Sequence, residues 1–183
     1  MSSSVAPRLA LLFIFVFAPC LRAQTDSAYR QPSPALAALV DAAAAPAVSI
    51  SPDRTHLLLL ARTEAPSIAE LSQPELRLAG IRLDPANNST SRALTYTGLA
   101  LQPVSGAAER RVTGLPPGGR IAHYAWSPDS RHVALTLLRE RSLELWLADT
   151  TSALARPLAP NLHLNAVLET PLVWLDATTL AVL

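Results

Sequence analysis

The chain contains no lysine, one cysteine, six glycines and few aromatic side chains, and each shortage excludes a class of protein. Its 15 basic residues, all arginine, stand against 14 acidic ones, so the formal net charge is +1 and no broad positive field exists to hold a phosphate backbone. Nucleic acid is not an expected partner. One cysteine cannot close an internal disulfide, and four scattered histidines fall short of the clustered ligands of a structural metal site. No metal and no cofactor is expected. There is no glycine-rich stretch. What is plentiful is apolar side chain, half of the 183 residues, with 16% charged: the composition of a chain that buries a core. Sixteen prolines spread along it break it into short elements and favour a β-rich fold.

The N-terminus reads as an address. A polar start with Arg8, an apolar block from Leu9 to Ala18, then Pro19, Cys20, Leu21, Arg22 and Ala23 follow the order of a secretory signal, with cleavage expected before Gln24. The block is about half as long as a bilayer-spanning helix, and Pro19 interrupts it, so no stable membrane span is expected. Acylation at Cys20 is the rival reading, disfavoured by Pro19 immediately before it. Removing residues 1–23 takes Arg8 and Arg22 and the only cysteine, leaving a nearly neutral, cysteine-free chain suited to an oxidising periplasmic or extracellular compartment.

Residues 24–46 read as a linker and N-terminal helix. Ser33 and Pro34 cap and open a helix expected over Ala35 to Ala45, and Pro46 ends it. Residues 47–183 change period. Ala47 to Ile50 and Thr55 to Ala61 read as two strands joined at the turn Ser51-Pro52-Asp53-Arg54. Ser67 and Glu70, spaced as a capping box, mark a short inserted helix closed by Pro74. The alternation of Leu76, Leu78, Ile81 and Leu83 around Arg77 and Arg82 predicts one strand over Leu76 to Leu83, followed by a polar loop over Asp84 to Arg92.

Internal repetition decides the architecture. Ser51-Pro52-Asp53-Arg54-Thr55-His56 recurs as Ser127-Pro128-Asp129-Ser130-Arg131-His132, preceded by Trp126, and a degenerate copy follows at Trp174-Leu175-Asp176. In step with it, Leu99-Ala100-Leu101 and Arg111-Val112 match Leu145-Trp146-Leu147 and Pro157-Leu158 at an offset of 46. Short strands and turns at a period in the high forties predict an all-β fold, a β-propeller of four-stranded antiparallel blades. In the best copy the strands are expected over Ala122 to Trp126, His132 to Arg139, Ser142 to Asp149 and Ala155 to Leu158. The length accommodates about three such blades, fewer than a closed ring needs. An incomplete propeller, truncated at its C-terminus, is the expected architecture.

With these repeats and the Leu145-Trp146-Leu147-Ala148-Asp149 strand, the chain resembles the N-terminal propeller of the prolyl oligopeptidase family of serine peptidases. Tyr29-Arg30-Gln31-Pro32, Leu39-Val40-Asp41 and the run from Ile68 to Gly80 are similar to the start of its glutamyl endopeptidase-like members. The resemblance implies a propeller that restricts peptide access to an α/β-hydrolase domain with a Ser, Asp, His triad, cleaving after glutamate through an acyl-enzyme. No serine here stands in a Gly-x-Ser-x-Gly frame, so no catalytic residue is assigned and the chain alone is expected to be inactive. TolB-related periplasmic propellers share the Ser-Pro-Asp turns, which leaves a non-catalytic, protein-binding module as the alternative. Oligomeric state is not readable.

The remaining candidates read blandly. Asp53 and Asp129 are turn formers rather than an acid-base pair. His123 and His132 flank one hairpin without a third ligand, and Trp126, Trp146 and Trp174 are expected to pack between blades. Arg110 and Arg111 read as strand-edge charges, and Asn88-Ser89-Thr90 matches a glycosylation acceptor in a loop.

Overall fold

A computed structural model of the protein describes residues 31–62 and 66–183. The expected signal, residues 1–23, lies outside the described residues. The chain divides into two compact units, up to Ala42 and from Ala43 onward. In the first unit, α1 (Pro34–Val40) opens at the expected proline but stops at Val40 rather than Ala45. Asp41 is its C-cap, donating its N–H to the Ala37 carbonyl, and Pro46 itself bars helical dihedrals only at Ala45.

The second unit begins with β1 (Ala47–Ile50) and β2 (His56–Arg62), then an inserted segment with α2 (Ile68–Leu71), β3 (Leu76–Leu78), β4 (Ile81–Asp84) and β5 (Ser89–Thr90). β6 (Tyr96–Pro103) and β7 (Arg110–Arg111) return to the main sheet. The strands β8 (Arg120–Trp126), β9 (His132–Leu138), β10 (Leu143–Asp149) and β11 (Leu154–Pro157) follow, and β12 (Leu172–Trp174) with β13 (Leu180–Val182) ends the chain. The best-defined repeat thus falls within two residues of its expected strand limits.

β1, β2, β6 and β7 make one antiparallel meander, and β8 to β11 make a second. The pair Tyr96 and Ile121 joins them into one eight-stranded sheet. Their registers coincide. Ile50 faces Leu57 as Trp126 faces Val133; Leu59 faces Ala100 as Leu135 faces Trp146; Ala100 faces Arg111 as Trp146 faces Pro157. The first two strands of the second meander lie 76 positions beyond their counterparts and the last two 46, and the 30-residue difference is the insertion. β12 and β13 form a separate two-stranded sheet in place of a third full repeat, and no sheet closes on itself among the described residues. The fold is mostly β, in antiparallel sheets with short helices.

Strand alternation lets the second meander feed two cores. Val133, Leu135, Leu137, Trp146 and Ala148 point toward the first meander and pack with its Leu58, Leu60, Leu99 and Leu101. Ala134, Leu143, Leu145 and Leu147 point the other way and pack with Leu164, Leu172, Trp174 and Leu180. Both faces of the second meander are therefore covered. The first meander is covered on one: on its other face Val48 and Ile50 are exposed and Leu59 is half-buried.

The expected strand over Leu76 to Leu83 is instead a hairpin. β3 and β4 pair Leu76 with Leu83 and Leu78 with Ile81 around the two-residue turn Ala79-Gly80. Positive φ at both residues, 50° and 87°, is the geometry whose twist matches paired strands, and Gly80 adopts it without a side-chain penalty. The polar loop contains β5, which adds a third strand by pairing with β4.

Candidate functional site

The two ends of the meanders carry different chemistry. At one end sit the acidic turns. Ser51 and Ser127 each donate a hydroxyl to the aspartate two residues on at 2.6 Å, and each accepts the N–H of the following histidine, His56 at 3.0 Å and His132 at 2.9 Å. Asp53 also accepts the N–H and the hydroxyl of Thr55. The Ser51 hydroxyl first, then the Thr55 N–H, holds the Asp53 carboxyl down at about 2. Asp129 is lowered by the Ser127 hydroxyl and the Arg131 N–H. In the shorter third turn, the Thr178 and Thr179 donors hold Asp176 at about 2. Neighbouring turns also interlock, because Asp53 donates its N–H to Ser130 Oγ at 3.0 Å. These carboxylates are committed to their own turns and are not poised for proton transfer.

Ser152, Asp149 and His132 stand in line at the same end, in the wrong order for catalysis. Ser152 Oγ donates to Asp149 at 2.8 Å, and His132 Nε2 lies 3.8 Å from the other carboxylate oxygen. An attacking serine needs the imidazole itself as its base. Nor does His123 approach His132. It stands opposite Thr136, with Nδ1 2.9 Å from the Thr136 hydroxyl, and burial lowers its pKa and keeps it neutral. Arg110 is a tie, donating to the carbonyls of Thr150 and Thr151 at 2.8 Å, whereas Arg111 lies opposite Ala100 on the uncovered face. Asn88 is exposed at φ 56°, and its carbonyl accepts the N–H of Ala166.

The tryptophans act as couplers between repeats. Trp126 donates its indole N–H to Ser49 of the first meander at 3.1 Å, and Trp174 donates to the carbonyl of Ala125 in the second at 3.1 Å. Ser49 and Ala125 are register equivalents, so one contact recurs from each repeat to the one before it. Trp146 is buried between the meanders and donates to Glu144.

The opposite end carries the insertion and a large polar recess. Glu70 of α2 pairs with Arg120 at the start of β8, and Arg120 Nε donates to Thr95 Oγ1 at 3.0 Å. Further along, Asn87 donates to the Arg139 carbonyl, and β5 reaches the segment before β12 through the bridge between Ser89 and Ala166. Between these anchors opens a cleft of about 850 Å³, whose walls include Gln73, Asp84, Arg120, Arg139, Arg141 and Glu144. Its acids and arginines nearly balance. It can hydrogen-bond an extended polar chain, but no nucleophile and base meet in it.

The sequence did not disclose the residue that organises the insertion, Glu75. Its side chain is only 8% exposed. One oxygen accepts from Arg77 and Arg82 at 2.9 and 3.2 Å; the other meets Arg92 at 3.4 Å and the Ser91 hydroxyl at 3.1 Å. Burial works against the charge, but Arg77, Ser91 and the other two arginines outweigh it and lower its pKa. The sequence offers no signal for it, because Arg77 lies opposite Arg82, a like-charge pair that needs a counter-ion, only once β3 and β4 fold back on one another.

No family model matches the chain. It is 38% identical over 165 residues to "Probable glutamyl endopeptidase, chloroplastic" of Arabidopsis thaliana, and 36% identical over 166 residues to the protein of the same name from Oryza sativa subsp. japonica. The match covers 84% of this chain in both cases, but 17% and 18% of the relatives. Among solved structures, the AtxE2 isopeptidase, an S527A variant with astexin3-dC4 bound, aligns with 76% of this chain and 20% of its own at 18% identity and a TM-score of 0.40. "The structure of putative TolB from Agrobacterium tumefaciens" aligns with 64% of this chain and 46% of its own at 18% identity and a TM-score of 0.29. Scores of that size mark neither as a match of the whole fold. The relationship rests on the sequence identity: over most of its length this chain is related to proteins named as peptidases, and it spans less than a fifth of them.

Proposed function

We propose that the chain supplies the opening blades of a β-propeller that controls peptide access to the serine-peptidase domain of an exported, glutamyl endopeptidase-like enzyme of the prolyl oligopeptidase family. The identity to the two plant proteins over 84% of the chain carries this reading. The repeat supports it physically. Two meanders of identical register stack through a shared core, and each later repeat reaches back to the one before through a tryptophan. That is how blades cover one another's faces in a ring. In this reading residues 1–23 are the removed signal, 24–46 a linker and helix, and 47–183 propeller. The substrate is a peptide cleaved after glutamate, met at a catalytic serine outside this chain.

The test compares this chain with the product of the complete reading frame. The complete product is expected to cleave peptides after glutamate and to take a fluorophosphonate label at one serine. The 183-residue chain is expected to do neither, since no nucleophile with a base and an oxyanion hole comes together among its described residues. A complete frame encoding further blades and no Gly-x-Ser-x-Gly elbow would overturn the peptidase reading in favour of a binding module.

A further inference from the structure

The uncovered face of the first meander has a covered counterpart in the second. Register places Val48, Ile50, Leu57 and Leu59 at the positions of Tyr124, Trp126, Val133 and Leu135. Those four pack against the repeat before their own, and Trp174 of β12 reaches back to the second meander in the same way. This side of a repeat therefore takes a preceding repeat. In the first meander it stands open, with Val48 56% and Ile50 60% exposed.

The open face is also built differently from its counterpart. Ala61, Gly98 and Ala100 stand where the second meander has Leu137, Glu144 and Trp146, and the missing bulk leaves a recess of about 390 Å³. Ile50 has no indole N–H with which to reach a neighbour, as Trp126 and Trp174 do. Charge is inverted as well. Arg111 lies opposite Ala100, and its guanidinium rests 3.9 Å from where a β-carbon on Gly98 would be, at the register position that carries the Glu144 carboxylate in the second meander. Arg111 has no partner among the described residues. A neighbour laid over that guanidinium has to bring it a counter-charge or leave it stranded.

We propose that a later repeat of the same polypeptide closes on this face, and that a carboxylate of that repeat on Arg111 holds the seam in place of an indole. This rests on the propeller of the proposed function. The occupant follows from continuity with the interface between the meanders, which joins unlike sides of two repeats. A series built on such contacts either comes round to its own first face or goes on adding chains. A second copy bound here would leave its own first face open in turn. A later repeat of the same chain ends the series, and the length of the relatives outside the matched part leaves room for it.

Carbene footprinting of the complete gene product, alongside its cleavage of glutamate peptides, tests this. At low salt Val48, Ile50 and Leu59 are expected to label several-fold more slowly than their exposure in this fold predicts. High salt screens an ion pair at the rim and should raise labelling there several-fold, while Leu135, at the indole-coupled interface, stays protected. Arg111→Glu should give the high-salt pattern at low salt, and Arg111→Lys should keep most of the protection. Because Arg111 is exposed in this fold, both variants should keep their circular dichroism spectrum, which separates lost closure from lost folding. Rapid labelling of the face at low salt overturns the closure. Protection indifferent to salt and to Arg111→Glu overturns the role of charge, and protection that vanishes on dilution to monomer assigns the face to a second copy and overturns the occupant. Salt-sensitive protection in a product that does not cleave glutamate peptides supports the seam and removes the peptidase reading alone.

Discussion

The two meanders are built to one register and live in different surroundings. Each places a Ser-Pro-Asp turn between its first two strands, with the residue after the aspartate at φ near 61°, and each pairs its third and fourth strands at the same offset. Yet the second is covered on both faces by hydrophobic clusters, and the first on one. The likeness shows that turn chemistry and cover on one face suffice to set strand pairing. The difference shows that cover, rather than pairing, separates a core leucine from a surface one.

The sharpest test of this uses register equivalents. Leu135 is fully buried between the meanders, whereas Leu59, 76 positions earlier, is half-buried on the uncovered face. Leu135→Ala is expected to cost about 3 kcal/mol, from lost transfer energy and the cavity left behind. Leu59→Ala should cost under about 1 kcal/mol, in proportion to the area it hides. Urea denaturation of both variants in a soluble preparation measures the gap. Equal losses would mean that something covers the first meander's outer face in solution.

Next in size is the coupling between repeats. Trp126 is half-buried against the shared core and donates to Ser49. Trp126→Ala should cost about 2 kcal/mol, less than a fully buried aromatic. Ser49→Ala, which removes the acceptor and leaves the ring, should cost about 0.5–1 kcal/mol. If the two variants prove equally mild, the indole does not couple the meanders.

How much of this was legible follows the same division. The second meander is readable because its signals are local: Pro128 and Asp129 specify the turn, and two near-continuous apolar runs, His132 to Leu138 and Leu143 to Asp149, mark strands buried on both faces. The insertion is not, because its hairpin turn is Ala79-Gly80, and Ala79 carries no mark of the positive φ it adopts. Its capping box is legible, and Ser67 and Glu70 exchange both hydrogen bonds. What the pattern could not say is that one carboxylate gathers the insertion's arginines. That depends on Glu75 meeting arginines as far away in sequence as Arg92, a contact that only the fold creates. The tryptophans could be assigned to packing, but their partners, Ser49 and Ala125, lie one repeat away.

A smaller effect is expected at the turn serines. Ser51 and Ser127 are buried and make the same two hydrogen bonds, so Ser→Ala at either should cost about 1–2 kcal/mol, and by the same amount. Denaturation midpoints of S51A and S127A compare them directly. A clear inequality would show that the uncovered face loosens the first turn, and would break the equivalence on which the comparison stands.

The smallest effect is the dependence on acid, and here the two turns should differ. Thr55 gives Asp53 a backbone N–H and a hydroxyl; its counterpart, Arg131, gives Asp129 the N–H and, in place of the hydroxyl, an exposed guanidinium 4.0 Å from the carboxylate. Both folded pKa values lie below the ordinary carboxylate value near 3.8, Asp53 at about 2. A carboxyl depressed by folding contributes stability above its unfolded pKa and loses it as pH falls through its folded one. For Asp53 the loss therefore spreads from about pH 4 down to about pH 2. These turns are open to solvent, which screens the gain and keeps it modest. Melting temperatures recorded between pH 6 and pH 2 should fall less steeply for Asp53→Asn than for the wild type, with Asp129→Asn between them. Thr55→Ala should make the Asp53 turn less sensitive to acid, because it removes both a donor to the carboxylate and the hydroxyl that the Asp129 turn lacks. If Asp53→Asn and Asp129→Asn flatten the curve equally, the third donor adds nothing and the two acidic turns are energetic as well as geometric equals.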